Sequence, residues 1–212
     1  MKKAAIALSS IIIIILGVLL IGPSFVDWNH YKPQILKQVR DKSGYDVDIQ
    51  GDLSLALLPS PRLKLEELVV KAPRKVHFEN LLNIQSAEIH VALMPLLRKA
   101  ISVDSIKLIE PVIQIELFED GSGSWMNAKM RTVSALSKIA PDQARKIGGQ
   151  AANKALNDIH LNSVNIQNGK VIFVDHKKDV RHQIESIRTN IQARKLTGPF
   201  SLDGDFVYGG KK

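Results

Sequence analysis

From residue 44 onward, apolar and polar side chains alternate along much of the chain. Val47, Ile49, Leu53, Leu55 and Leu57 share one face, while Asp46, Asp48, Gln50, Asp52 and Ser54 occupy the other. That pattern predicts a half-buried strand, long or bent near Gly51-Asp52, because successive side chains of an extended chain point to opposite sides. The same period returns at Ala87, Ile89, Val91 and Leu93, at Ile113, Ile115 and Leu117, and over residues 200–208 around Gly204. Three stretches repeat a common form: residues 63–70 (LKLEELVV), 101–108 (ISVDSIKL) and 159–166 (IHLNSVNI). Each alternates, takes one extra residue and resumes on the other phase. A bulge at that point keeps Ile101 and Val103, for example, on the same face as the apolar residues that follow, and it curves the strand. The second and third stretches are followed by Glu110-Pro111 and Asn168-Gly169, then by further strands at 112–118 and 170–175, which reads as repeated hairpins in a growing antiparallel sheet.

A helical period appears in two places. Ile35, Leu36 and Val39 fall on one face of residues 30–43, between Pro33 near the start and Gly44 past the end, predicting a short amphipathic helix. Residues 127–158, with Val133, Leu136 and Ile139 at helical spacing before Pro141, predict a helical insertion of two short helices.

The N-terminus follows neither period. Residues 4–21 carry no charge and include Ile11, Ile12, Ile13, Ile14, Ile15, Leu16, Leu19 and Leu20. As a helix this stretch is about 27 Å long, close to the hydrocarbon thickness of a bilayer. Lys2 and Lys3 precede it and the next charge is Asp27, so the positive-inside tendency places the N-terminus in the cytoplasm and the body beyond the membrane. A cleaved signal peptide is the competing reading, but it requires a shorter apolar core and a small-x-small cleavage site, which the Gly22-Pro23-Ser24 segment does not supply. Trp28 and Tyr31 stand where interfacial aromatics belong, and they would equally suit packing of the first helix on the sheet. The expected organisation is therefore a cytoplasmic tip and transmembrane anchor over 1–26 and a β-rich body over 27–212.

Composition narrows the function classes. With 45% hydrophobic and 24% charged residues, the 212-residue chain can pack a core. It has no cysteine, which excludes disulfides, thiolate metal sites and a cysteine nucleophile. The net charge of +8 is spread over pairs such as Arg74-Lys75 and Lys177-Lys178, which suits anionic headgroups beside a bilayer. Nucleic acid is not expected as a partner: aromatic platforms are few and the inferred side of the membrane holds none.

No catalytic constellation emerges. The histidines at 30, 77, 90, 160, 176 and 182 show no i, i+3 or i, i+4 pair, so neither a metal site nor a cofactor is expected. Asp175-His176 lacks the Gly-x-Ser-x-Gly elbow of a hydrolase. Gly121-Ser122-Gly123-Ser124-Trp125 lacks the lysine step of a phosphate-binding loop and reads as a hairpin turn with Trp125 folded back. What remains is the apolar face itself, for which the few predicted helices are too little cover. Alternation alone does not distinguish a face packed in a dry sandwich from one lined with lipid.

Taken in order, the anchor, Tyr31-Lys32-Pro33, Ser43-Gly44-Tyr45-Asp46-Val47, Gly51-Asp52-Leu53, Pro59-Ser60-Pro61-Arg62-Leu63 and Met94-Pro95-Leu96-Leu97 resemble the N-terminal region of the AsmA family of bacterial envelope proteins. The resemblance continues through Pro111, residues 120–125, Asn168-Gly169-Lys170 and Gly198-Pro199-Phe200. It implies an inner-membrane-anchored, single-pass protein whose periplasmic sheet curls into an open apolar groove, similar to bridge-like lipid transfer proteins. Outer-membrane biogenesis and phospholipid movement follow as the implied role, without catalytic residues, and a non-enzymatic assembly factor regulating protein targeting or insertion into the outer membrane is the alternative. Candidate groove-lining residues are Val47, Ile49, Leu53, Leu55, Leu57, Ile89, Val91, Leu93, Ile101, Val103, Ile113, Ile115 and Leu117, with membrane phospholipids as partners. Family members are longer, and nine strands extend only about 43 Å along a sheet. The chain therefore reads as truncated at its C-terminus, with a continuation or an envelope partner expected at the open edge formed by residues 200–208.

Overall fold

The structure is a computed structural model that describes residues 10, 11, 14, 17, 18, 22–58, 60–74, 77–97, 102–128, 130–132, 134, 160–193 and 200–209. Most of the expected anchor, including Ile12, Ile13, Ile15, Leu16, Leu19, Leu20, Lys2 and Lys3, lies outside the described residues, as do Ile101 and most of the 127–158 insertion. Among the described residues, no helix is long and apolar enough to cross a membrane.

Two 3-10 turns, Gly22–Phe25 and Trp28–Tyr31, lead into helix α1 (Lys32–Ser43). The helix starts and stops where its sequence requires. Pro33 sits in the first turn, where a missing N–H leaves no helical bond unmade, and Gly44 takes the left-handed conformation (φ 76°), its N–H donating to the Arg40 carbonyl at 2.8 Å. Polar bonds tie this segment to the sheet: Asn29 Oδ1 accepts from the Leu53 N–H at 3.0 Å, Lys32 Nζ donates to the Gly51 carbonyl, and Arg40 pairs with Asp46.

The strands are β1 (Val47–Ile49), β2 (Leu53–Ala56), β3 (Arg62–Lys71), β4 (Asn80–Val91), β5 (Ser102–Ile109), β6 (Val112–Leu117), β7 (His160–Asp175), β8 (Val180–Ala193) and β9 (Phe200–Tyr208); a short helix α2 (Leu93–Leu97) follows β4. All nine strands join one sheet in the order β1-β3-β4-β5-β7-β8-β9, with β2 also on β3 and β6 between β4 and β7. Thus β1 and β2 form two segments of one margin, broken at Gly51 as the sequence suggested, and β9 forms the other margin. Leu57 falls just beyond β2, and Leu93 opens α2 instead of extending β4, since Pro95 cannot donate to a ladder.

Two expectations are corrected. The sheet is mixed, not antiparallel, because β5 and β6 both pair with β7 in parallel. Parallel neighbours need a long connection to bring the chain back to the same end, and residues 118–159 between β6 and β7 supply it. Nor are Glu110-Pro111 and Asn168-Gly169 hairpin turns. The strands continue through both points in the same direction: β5 and β6 share the neighbours β4 and β7, and Asn168-Gly169 lies inside β7. A tight reversal of the Asn-Gly type takes two consecutive residues at positive φ. Here Glu110 (φ 52°) and Asn168 (φ 54°) are single left-handed residues, and each bends its strand without turning it back.

These residues belong to a line across the sheet. Glu67 (φ 52°) lies between the pairs Glu66↔Ser86 and Leu68↔Ile84, and Ser86 also pairs with Ile109, just before Glu110. Ile109 in turn pairs with Gln167, just before Asn168. On β8, Ser186 (φ 52°) falls between Ile184 and Ile187, the partners of Val171 and Gly169. The slip seen in residues 63–70 falls on this crease at Glu67, whereas those in 101–108 and 159–166 fall before it, at Asp104 and Asn162, which the β5–β7 pairing skips.

Candidate functional site

The cross-strand register divides the sheet into chemically opposite faces. Directly opposed residues share a face, so partners can be followed from margin to margin. One row runs Leu55, Leu63, Ile89, Ile106, Val164, Ile191, Leu202 across seven strands, and every member is aliphatic. The next row on the other side of these strands runs Ser54, Lys64, Glu88, Lys107, Asn165, Asn190, Asp203, and every member is polar or charged. Beyond the crease a second apolar row runs Val47, Val70, Leu82, Ile113, Val171, Ile184, ending at Tyr208.

These apolar rows are not sealed. Ile84 (5% exposed) and Ala87 (3%) are buried at the middle of the sheet, as are Ile49 and Leu53 at its margin. The residues around them, including Leu55, Ile89, Val91, Val103, Ile106, Ile113, Ile115, Leu117, Val164 and Val171, remain only half-buried. Leu202 at the β9 end is 68% exposed. Helix α1 packs chiefly on β1, and the 3-10 turns pack chiefly on β2; among the described residues no helix makes extensive contact with β4 to β9. A row crossing seven strands is about 29 Å long at roughly 4.8 Å per strand. That is about twice the depth of one bilayer leaflet, whose hydrocarbon is about 15 Å thick.

Of the residues singled out from the sequence, Ile89, Leu55 and the first row stand together, as do Val47 and Ile113 in the second. Ile115 pairs with Phe173, Leu117 with Asp175, and Val103 with Val91 and Leu161. Trp28 and Tyr31 contact each other at 5.7 Å between ring centroids, and Trp28 Nε1 donates to the Pro23 carbonyl at 2.7 Å, so both aromatics are part of the turn that leads from the N-terminal segment to α1. The opposite face is covered locally: the N–H groups of His77 and Phe78 reach the Glu116 carboxylate. The turn at 118–123 closes as expected, with the Phe118 N–H donating to the Ser122 carbonyl at 2.8 Å, and Trp125 lies flat against Gly123, where an added Cβ would meet its ring at 2.4 Å.

Sequence spacing did not reveal the meeting of His77, Glu116 and His176, which are far apart in the chain. Their donor atoms all lie within 4.8 Å of one another. Nor did it single out Val164, Val171, Ile184 and Ile191, although their alternation in β7 and β8 carried the same signal as the residues that were chosen.

A model of the AsmA family matches residues 1–207. The chain therefore belongs to the AsmA family, and that membership carries an envelope-related role. No curated protein matches the chain.

Proposed function

We propose that this protein is tethered to the bacterial inner membrane by its N-terminal segment, that its body lies in the periplasm, and that the apolar sheet face shelters phospholipid acyl chains during outer-membrane biogenesis. The observation that carries the reading is the half-buried apolar row running from margin to margin, backed by a wholly polar row on the other face. Shielding a lipid tail from water needs no reaction. It requires only contiguous apolar surface, each buried methylene lowering the free energy by about 0.8 kcal/mol. The exposed side chains of Ile11, Ile14, Val18 and Phe25, the last 84% exposed, support a lipid-facing N-terminal segment.

Two measurements test this. Lipid extracted from the detergent-purified full chain should contain phospholipid at close to one molecule or more per chain, and Ile106→Asp and Ile113→Asp should each reduce it severalfold. A lipid-free wild type, or equal lipid content in the variants, would sink the shelter. For the tether, a reporter that works only outside the cytoplasm, fused after Tyr208, should be active; a silent fusion would reverse the orientation.

A second reading, an assembly factor that pairs a client strand, rests on β9. This margin is continuous over nine residues and exposes Phe200, Leu202, Phe206 and Tyr208. Photocrosslinkers at Ser201 or Asp203 would capture protein under this reading and lipid under the first.

A further inference from the structure

A carboxylate at the end of β6 is buried beside two imidazoles. Glu116 has no exposed side-chain surface, and among the described residues its only ionisable partners are His77 and His176. Its Oε1 accepts from the main-chain N–H groups of His77 (3.2 Å) and Phe78 (3.0 Å). Its Oε2 lies 2.7 Å from His176 Nε2 and 3.4 Å from His77 Nδ1. The imidazole rings stack at 5.0 Å, and Phe118 stacks on His176 at 5.5 Å. Arg74, the nearest cation over Phe118, is engaged by Asp120 at 3.0 Å. Burial pushes the Glu116 carboxyl up, while the Phe78 N–H, the His176 ring and the N–H and ring of His77 pull it below the usual glutamate range.

Buried charges in proteins are paired or coordinate metals. We propose that His77, Glu116 and His176 form a binding site for one divalent transition-metal ion of the zinc class. The donor set, two imidazoles and one carboxylate, suits zinc, cobalt, nickel or copper and not calcium or magnesium, which take oxygen ligands. A tetrahedral ion about 2.05 Å from each donor needs donors about 3.3 Å apart. The His77–Glu116 separation already meets this, the His176–Glu116 contact has to lengthen by roughly 0.6 Å, and the two imidazole nitrogens, which lie within 4.8 Å of each other, have to settle at the same spacing. The two main-chain bonds on Oε1 orient the carboxylate so that Oε2 faces the rings, the outer-shell support that metal-binding carboxylates use. His77 is 63% exposed and His176 20%, which gives an ion a way in and leaves its fourth position on the solvent side. The three ligands come from the β3–β4 connection, β6 and the β7–β8 turn, so a bound ion would fasten two connections to a strand at one corner of the sheet.

The test uses the full chain in detergent, stripped with a chelator and titrated with Co²⁺ and then Zn²⁺. One equivalent of Co²⁺ should produce a visible absorption band that Zn²⁺ bleaches, and Zn²⁺ should raise the melting temperature. His77→Ala, at an exposed side chain that leaves the fold intact, and His176→Gln should each weaken binding at least tenfold, while His30→Ala should leave it unchanged. If His176→Gln fails to fold by circular dichroism, His77→Ala decides alone. Absence of stoichiometric uptake at micromolar metal, or uptake that His77→Ala does not weaken, would overturn the site and leave a buried carboxyl group contacting two imidazoles only.

Discussion

Ile84 and Ile115 are both isoleucines on the apolar side of the sheet, yet truncating them should have very different effects. Ile84 is 5% exposed in the middle of β4, so Ile84→Ala removes buried carbons and leaves a cavity. The lost transfer free energy is ~2.4 kcal/mol at about 0.8 per carbon, and the cavity brings the total to roughly 3.5 kcal/mol. Ile115 on β6 is half-buried and borders the open face. Ile115→Ala loses about half the transfer free energy and leaves no enclosed void, so it should cost ~1 kcal/mol. For a body of this size these figures correspond to melting-point decreases of roughly 7–14 °C and 2–4 °C. Thermal and urea unfolding followed by circular dichroism, with the full chain in one detergent, would measure both. Equal losses at the two positions would mean that Ile115 is sealed in a dry core and that the apolar face is not open.

Three further outcomes are expected. Gly204→Val should detach β9, because a Cβ there would lie 2.2 Å from the Arg188 carbonyl oxygen and 2.6 Å from Thr189 Cα; hydrogen exchange should show protection lost across Phe200–Tyr208 and kept in β4. The Asp120 carboxyl is lowered to about 2, first by the Ser122 hydroxyl, then by the Ser122 N–H and the Arg74 guanidinium. Because the folded value lies below the unfolded one, the stability that it contributes is present above the ordinary aspartate range, near about 3.9, and is lost as pH falls towards about 2. Carboxyl NMR titration should detect this, with Ser122→Ala raising the value more than Arg74→Gln. Tyr45→Phe removes the hydroxyl that donates to the Trp125 carbonyl at 2.8 Å and should lower stability by ~1 kcal/mol, a melting-point decrease of about 3 °C.

Which residues form strands, and which of their faces is apolar, could be read from the sequence because alternation is a local property of extended chain. The one-residue slips in 63–70, 101–108 and 159–166 likewise marked real irregularities, since Glu67 is left-handed and the Asp104 and Asn162 positions drop out of the β5–β7 ladder. Strand order was not legible. On one side β5 pairs with β7, far along the chain, and nothing within either segment encodes that pairing. Asn168-Gly169 misled for a specific reason: the dipeptide favours tight reversals, but here Gly169 is needed for close approach, an added Cβ meeting Ile166 at 2.8 Å and Pro111 at 3.4 Å. The His77–Glu116–His176 cluster escaped notice because helical spacing rules do not apply to ligands carried on two connections and a strand.

The crease through Glu67, Glu110, Asn168 and Ser186 bears on how such a sheet can change over generations. In an ordinary strand, gaining or losing one residue swaps inside for outside along everything that follows. Where the ladder is already interrupted, a single-codon insertion or deletion can be absorbed on the spot. Each half of the sheet is thus free to drift in length without inverting the other.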